Sequence, residues 1–363
     1  MVFAGGGTGG HVYPGLSVAR ALEREMRERG EALEMLYIGV RGRVDEQIVP
    51  REGIAFRAIS AGQLRVSSPV TFARNMLRLA WGVVQSLRIL MRVRPDAVFA
   101  TGGYASVPVG VAARLLRRPL VVYLPDVTPG WAVRLLSRLA TRMATTSERA
   151  LDDLPREKTV VAGYPVRGDF FSLSKTEARE RLGLPAGATV VLVTGASLGA
   201  RAINQAIIAA LPDLLPKAYV LHLTGRGDEG WAHQRRADLP EALRDRYHVR
   251  AYIDDMPAAM LAADLAVSRA GASTLGELPA AGLPAVLVPG EYEGWSQAPN
   301  AEFLESQGAA VMLRNRELDR LGALLLELID DSARRERMSD AMRRLARPNA
   351  ARDLALTLLE AAT

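Results

Sequence analysis

Cysteine is absent from the 363 residues. That excludes disulfides, thiolate nucleophiles and cysteine-ligated zinc or iron–sulfur sites. Histidine is nearly as scarce. His11, His222, His233 and His248 are the whole complement and no HExxH pair exists, so no metal site is expected. No apolar run approaches the ~20 residues that cross a bilayer. The first apolar strand and its glycine loop start at Met1, which leaves no room for a cleavable leader, and the expectation is a cytoplasmic chain. Lysine is reduced to Lys158, Lys175 and Lys217, so the net charge of +6 rests on arginine. Acids are missing from one long stretch: between Gly53 and Ser147 only Asp96 and Asp126 stand against thirteen arginines. Such a surface suits phosphates or acidic lipid, although an arginine-rich genome leaves the same imprint. With no helix-turn-helix, aromatic RNP-type strand or basic tail, no nucleic-acid partner is expected.

What is present is a globular composition, 49% hydrophobic and 24% charged, in a chain long enough for two domains. Apolar strand-like runs at Leu33–Val40, Ile54–Ile59, Ala97–Ala100, Leu120–Leu124 and Thr159–Ala162 alternate with helical stretches. The scheme then repeats from Val190–Thr194 to Ala309–Leu313. Alternation of this kind predicts α/β architecture with parallel sheets. We expect two Rossmann-like domains facing across a cleft: residues 1–163, joined by a C-terminal helix at 348–363, and residues 164–347. The segment Gly163-Tyr-Pro165-Val-Arg167 reads as the hinge, and Leu318 to Ala362 as largely helical with a break near Pro348.

Glycine marks the chemistry. Val2-Phe-Ala runs into Gly5-Gly-Gly-Thr8-Gly9-Gly10-His11, Ala97–Thr101 into Gly102-Gly-Tyr104, and Thr189–Thr194 into Gly195-Ala-Ser197-Leu-Gly199-Ala. Three such turns, each between strand and helix, predict ligand binding at the carboxyl ends of parallel strands. A fourth, Gly271-Ala272-Ser273-Thr274-Leu275-Gly276-Glu277, opens a short helix that carries one acid. Free amides and the positive dipole end there suit a phosphate, and Glu277 lies within reach of a nearby ribose. The first loop also fits G-x-G-x-x-G, which makes an NADP-dependent oxidoreductase the alternative of another class. The ribose-binding acid that this fingerprint needs is missing from Tyr37-Ile-Gly39-Val-Arg41-Gly42, at the end of the second strand.

Together these loops, with Ile253-Asp-Asp-Met256, Gln297 and Asn300, resemble the MurG family over essentially the whole chain. The resemblance implies a GT-B type fold and an inverting glycosyltransferase without metal or cofactor. It implies UDP-GlcNAc as donor and a polyprenyl-pyrophosphate-linked N-acetylmuramoyl-pentapeptide as acceptor. A related lipid transferase acting on diacylglycerol is the runner-up. On this basis Ile253 meets uracil, Glu277 the ribose, and Ala272 to Leu275 with Gly276 and Ser197 the pyrophosphate. Ser296, Gln297 and Asn300 meet the donor sugar, and Arg167 matches a donor contact. Thr8, Gly9 and Gly10 face the transferred sugar and acceptor, with Tyr104 and Asn204 also in the binding set.

Two departures stand out. The usual His-Glu-Gln-Asn segment is Tyr123-Leu-Pro125-Asp126 here, and a usual Gln-Gln pair is Ser296-Gln297. The candidates for general base are therefore His11, whose type titrates near neutrality, and Asp126, whose alternative role is to cap the helix that starts near Pro129. Finally, Phe72 to Arg92 is apolar on more than one face. Leu77, Trp81 and Val84 ringed by Arg74, Arg78, Arg88 and Arg92 predict peripheral contact with an anionic membrane surface, on its cytoplasmic face.

Overall fold

A computed structural model describes residues 1–6, 9–62, 68–195, 199–292 and 295–363. Two compact units divide the chain: Met1–Val166 with Arg347–Thr363, and Arg167–Ala346.

The first unit holds β1 (Val2–Ala4), β2 (Leu36–Val40), β3 (Ala55–Ile59), β4 (Val98–Ala100), β5 (Leu120–Leu124), β6 (Arg142–Thr145) and β7 (Thr159–Val161). They form one sheet in the order β3-β2-β1-β4-β5-β6-β7, with parallel pairings throughout. The central strands read Val-Phe-Ala, Val-Phe-Ala and Leu-Val-Val-Tyr-Leu without a polar break because helices cover both of their faces. Those helices are α1 (Gly9–Glu28), α2 (Val44–Arg51), α3 (Pro69–Val93), α4 (Ser106–Leu115) and α5 (Trp131–Leu139). Val12, Leu16, Ala19, Leu22 and Met26 of α1 pack with Phe3, Tyr37 and Phe99 of the sheet. Leu354, Ala355 and Leu358 of the chain's last helix join the same core.

Helix α1 carries Pro14 inside it, five residues after its start. A proline inside a helix leaves the carbonyl four residues back without its donor; here the Gly10 carbonyl takes the Tyr164 hydroxyl at 3.4 Å.

The second unit repeats the plan. Its strands are β8 (Val190–Thr194), β9 (Tyr219–Leu223), β10 (Tyr247–Arg250), β11 (Leu265–Ser268), β12 (Ala285–Leu287), a short pair β13 (Glu291–Tyr292) and β14 (Trp295–Ser296), and β15 (Ala310–Met312). The main sheet runs β10-β9-β8-β11-β12-β15, again parallel. Its helices are α6 (Asp169–Ser172), α7 (Lys175–Leu182), α8 (Arg201–Leu214), α9 (Glu229–Ala237), α10 (Glu241–Arg244), α11 (Met256–Ala262), α12 (Thr274–Ala281), α13 (Ala298–Ser306), α14 (Leu321–Asp330) and α15 (Ser332–Leu345); α16 (Ala350–Ala362) returns to the first unit. The C-terminal stretch breaks twice, at Asp331 as well as near Pro348. Asp331 accepts from the Arg334 amide at 2.8 Å, so an N-cap makes the extra break.

In both sheets the strand order reverses beside the first strand, between β1 and β4 and between β8 and β11. The glycine turns follow these four strands. That is where an open α/β sheet leaves a crevice for ligands.

Candidate active site

In the first unit the chemistry gathers beyond β1 and β4. The His11 Nδ1 lies 2.8 Å from the Thr101 carbonyl oxygen, and the Thr101 hydroxyl donates to the His11 carbonyl at 2.7 Å. A carbonyl only accepts, so Nδ1 carries the proton and the neutral ring keeps its lone pair on Nε2. Gly102 and Gly103, both at positive φ, line the ring. A Cβ on Gly103 would stand 3.6 Å from the His11 Cδ2. Tyr104 is half-buried. Burial foremost pushes its phenol up, against the opposing pull of the hydrogen-bonded Arg43. Gly9 and Gly10 form the first turn of α1. Thr8 lies outside the described residues.

The altered segment resolves into core and rim. Tyr123 is fully buried, its hydroxyl bonded to Thr146 and to the Gly163 carbonyl, and Leu124 and Pro125 are buried with it. Asp126 is the first half-exposed residue beyond β5. It does not cap α5, which starts at Trp131 behind Gly130 with no side-chain cap; the expectation that its alternative role would be capping is corrected.

In the second unit the turn after β11 leads into α12. Thr274, Leu275 and Gly276 each donate back three residues, to Gly271, Ala272 and Ser273. This tight first turn uses amides that the sequence reading left for phosphate, so Ala272 and Ser273 are the amides ahead of the first closed turn. Glu277 is half-buried on the next turn. Removal from water pushes its carboxyl up to about 7, a rise limited by the Ser273 hydroxyl and then by Arg167. Arg167 also donates to the Asp254 carbonyl at 3.3 Å, beside the buried Ile253. The structure thus brings Arg167, Ile253–Asp254, Ser273 and Glu277 together.

The expected sugar contacts are partly committed to the fold. The Gln297 oxygen accepts from the Gly290 amide at 2.8 Å, while its Nε2 lies 3.6 Å from where a Gly271 Cβ would be. Gln297 can therefore only donate toward the Gly271 turn. Ser296 Oγ accepts from the Ala298 amide at 3.1 Å, and the buried Asn300 donates to the Ala270 carbonyl at 3.0 Å, holding that turn from below. Ser197 lies outside the described residues. Asn204 corrects the sequence reading most clearly. It is fully buried, donates to the Thr224 carbonyl and to Asp228 at 2.9 and 2.8 Å, and accepts from the His222 Nε2. Both ends of its side chain serve the fold, and it leaves the proposed ligand shell.

Sequence reasoning missed Thr101, Arg43 and Asp45. The available signal for Asp45 was an acid five residues beyond the end of β2. It is fully buried and accepts from the Val40 amide at 2.7 Å. A carboxylate enclosed in this way cannot serve a dinucleotide ribose, which removes the remaining support for an oxidoreductase.

Two Rossmann-ordered sheets, each with glycine turns at its strand-order reversal and one with an acid set inside the following helix, define a GT-B type glycosyltransferase. The glycosyltransferase family 28 N-terminal domain matches residues 1–145, and the family 28 C-terminal domain matches residues 190–354. The UDP-N-acetylglucosamine–N-acetylmuramyl-(pentapeptide) pyrophosphoryl-undecaprenol N-acetylglucosamine transferase of Roseiflexus sp. (strain RS-1) is 40% identical, over 98% of this chain and 93% of that protein. The Salinibacter ruber protein of the same name is 39% identical over 99% and 96%. The crystal structure of Acinetobacter baumannii MurG superposes with a TM-score of 0.77 at 26% identity, over 99% of this chain and 98% of that one. The chain belongs to the MurG family of N-acetylglucosamine transferases.

Proposed function

We propose that the protein transfers N-acetylglucosamine from UDP-GlcNAc to the 4-hydroxyl of the N-acetylmuramoyl-pentapeptide carried on pyrophosphoryl-undecaprenol, the lipid I to lipid II step of peptidoglycan synthesis. The observation that carries this reading is Glu277, a carboxyl set inside α12 directly behind the Gly271 turn and flanked by Arg167. Its carboxylate accepts the ribose hydroxyls, and the Ile253–Asp254 backbone meets uracil. The amides of Ala272 and Ser273 and the start of α12, with Ser197, hold the pyrophosphate. Gln297 donates to the donor, with Ser296 beside it. Arg167 orients the Glu277 carboxylate.

At the first unit His11 is the base, and Thr8, Gly9, Gly10 and Tyr104 hold the acceptor. The acceptor oxygen attacks the anomeric carbon, its proton passes to His11 Nε2, and the bond to UDP breaks with inversion. The leaving diphosphate takes up the negative charge against the α12 terminus. Asp126, on the rim beyond β5, is the rival base. No cofactor or metal takes part in this scheme.

We place the reaction at the cytoplasmic membrane surface, through α3. This helix turns Asn75, Leu79, Gly82, Ser86 and Leu90 inward, and Gly82 leaves no room for a Cβ against the Ser60 carbonyl. The bulky groups point outward: Leu77 is 73% and Trp81 49% exposed, with Phe72 and Met76 also exposed. Arg88 lies over the Trp81 ring at 5.6 Å. Large apolar residues left outside, set among arginines, suit shallow insertion among anionic headgroups. Among the described residues, no helix is long and apolar enough to cross a membrane.

The test is transfer of labelled sugar to the polyprenyl acceptor, with UDP-GlcNAc, UDP-galactose, UDP-glucose and NADPH compared in binding. Transfer from UDP-GlcNAc alone supports the reading. Tight NADPH binding without UDP binding contradicts it.

A further inference from the structure

Asp45 has no place in the chemistry above, yet a fully buried carboxylate is costly unless the fold uses it. It occupies the second position of α2, where the helix dipole favours an anion, and accepts from the Val40 amide at 2.7 Å. Its location is unusual. A Cβ on Gly39 would come within 2.1 Å of the Asp45 Oδ2, and a Cβ on Gly6 within 2.5 Å. The carboxylate thus fills the space that two glycines leave, one at the end of β2 and one at the entry to the first glycine loop. Gly6 holds φ at +142°, a conformation that L side chains rarely adopt, so the loop's entry is shaped around this acid.

The packing continues toward the reacting end. The Gly6 carbonyl oxygen lies 3.1 Å from where a Gly103 Cβ would stand, and the His11 Cδ2 lies 3.6 Å from the same point. Asp45, Gly6, Gly103 and the His11 ring form a column: a Cβ would crowd the Asp45–Gly6 and Gly6–Gly103 steps, and the Gly103–His11 step is at van der Waals contact. The Thr101 carbonyl fixes the same ring at Nδ1.

We propose that Asp45 is a positioning residue. Its buried carboxylate seats Gly6 and, through Gly103, sets the imidazole whose Nε2 takes the acceptor proton. The inference rests on the proposed role of His11. It assigns the acid a task that neither donor binding nor the integrity of the second sheet requires.

A double-mutant cycle in the full chain tests it, with Asp45→Ala, His11→Ala and the pair assayed for turnover, KM and UDP-GlcNAc binding. A misplacement of this kind costs about 10- to 100-fold in turnover, and we expect that loss with donor affinity held within about twofold. In the His11→Ala background the same change should cost less than about threefold, because the group it positions is gone. Losses that multiply, or an Asp45→Ala protein of near-normal turnover, overturn the proposal. Near-normal turnover of His11→Ala would overturn the base assignment and, with it, any action of Asp45 through that ring. If Asp45→Ala does not fold, Asp45→Ser carries the same cycle, because it keeps a polar oxygen on a shorter side chain and gives up the contact with Gly6.

Discussion

The two units share one plan and use it in opposite ways. Each has the same strand order and places glycine turns at the reversal of that order. In the first, the turn beyond β1 presents an imidazole, half-exposed and oriented by a backbone carbonyl. In the second, the turn beyond β11 presents a carboxyl drawn into α12 and pushed up to about 7 by burial. The scaffold supplies amides and a crevice in both. In the function proposed above, the side chain that follows the turn is what assigns one end to the proton and the other to the nucleotide.

The outer surfaces differ as well. Helix α3 of the first unit leaves Phe72, Met76, Leu77 and Trp81 exposed besides the face it buries, whereas α8 of the second buries Ile203, Ile207, Leu211 and Leu214 in the ordinary way.

The sharpest way to break this division is at the imidazole. His11→Ala should lower turnover by about 10²–10⁴-fold, with UDP-GlcNAc affinity nearly unchanged. Asp126→Asn should cost less, and steady-state kinetics on both variants would reverse the assignment if the ranking reversed. At the other end, Glu277→Ala should weaken UDP and UDP-GlcNAc alike by about 1–3 kcal/mol, read by calorimetry. Trp81→Glu on α3 should lower binding to vesicles containing phosphatidylglycerol or cardiolipin, an interaction to which each nearby arginine adds about 1 kcal/mol and which added salt weakens. Equal binding to neutral and anionic vesicles would make α3 an ordinary surface helix.

The smallest expected effect is a pH dependence. Ribose hydroxyls donate to the ionised form of Glu277, so binding favours loss of the proton from a group whose folded pKa lies near 7. UDP-GlcNAc affinity should therefore rise as pH passes upward through about 7, with proton release on binding below it. Both phosphates of this donor are diesters and do not titrate there, and Glu277→Gln should flatten the profile.

Much of this was legible in the sequence. Uninterrupted apolar strands with glycine at their ends announced the parallel sheets, and the order of the glycine turns carried the family. Glu277 stood out as the one acid in an apolar helix. What could not be read was which polar groups turn inward. Asn204 looks like a loop-end ligand until His222, Thr224 and Asp228 are seen to surround it, and those partners come from strands and turns 18 to 24 residues away. Asp45 was hidden for the converse reason. Its partners Gly6 and Gly39 mark it only by the side chains they lack.

The division of labour is tested most directly by titrating UDP-GlcNAc into the wild-type, His11→Ala and Glu277→Ala proteins side by side. The account predicts that His11→Ala binds the donor like the wild type while failing to transfer, and that Glu277→Ala loses affinity. Donor binding that survives in Glu277→Ala and collapses in His11→Ala would contradict it.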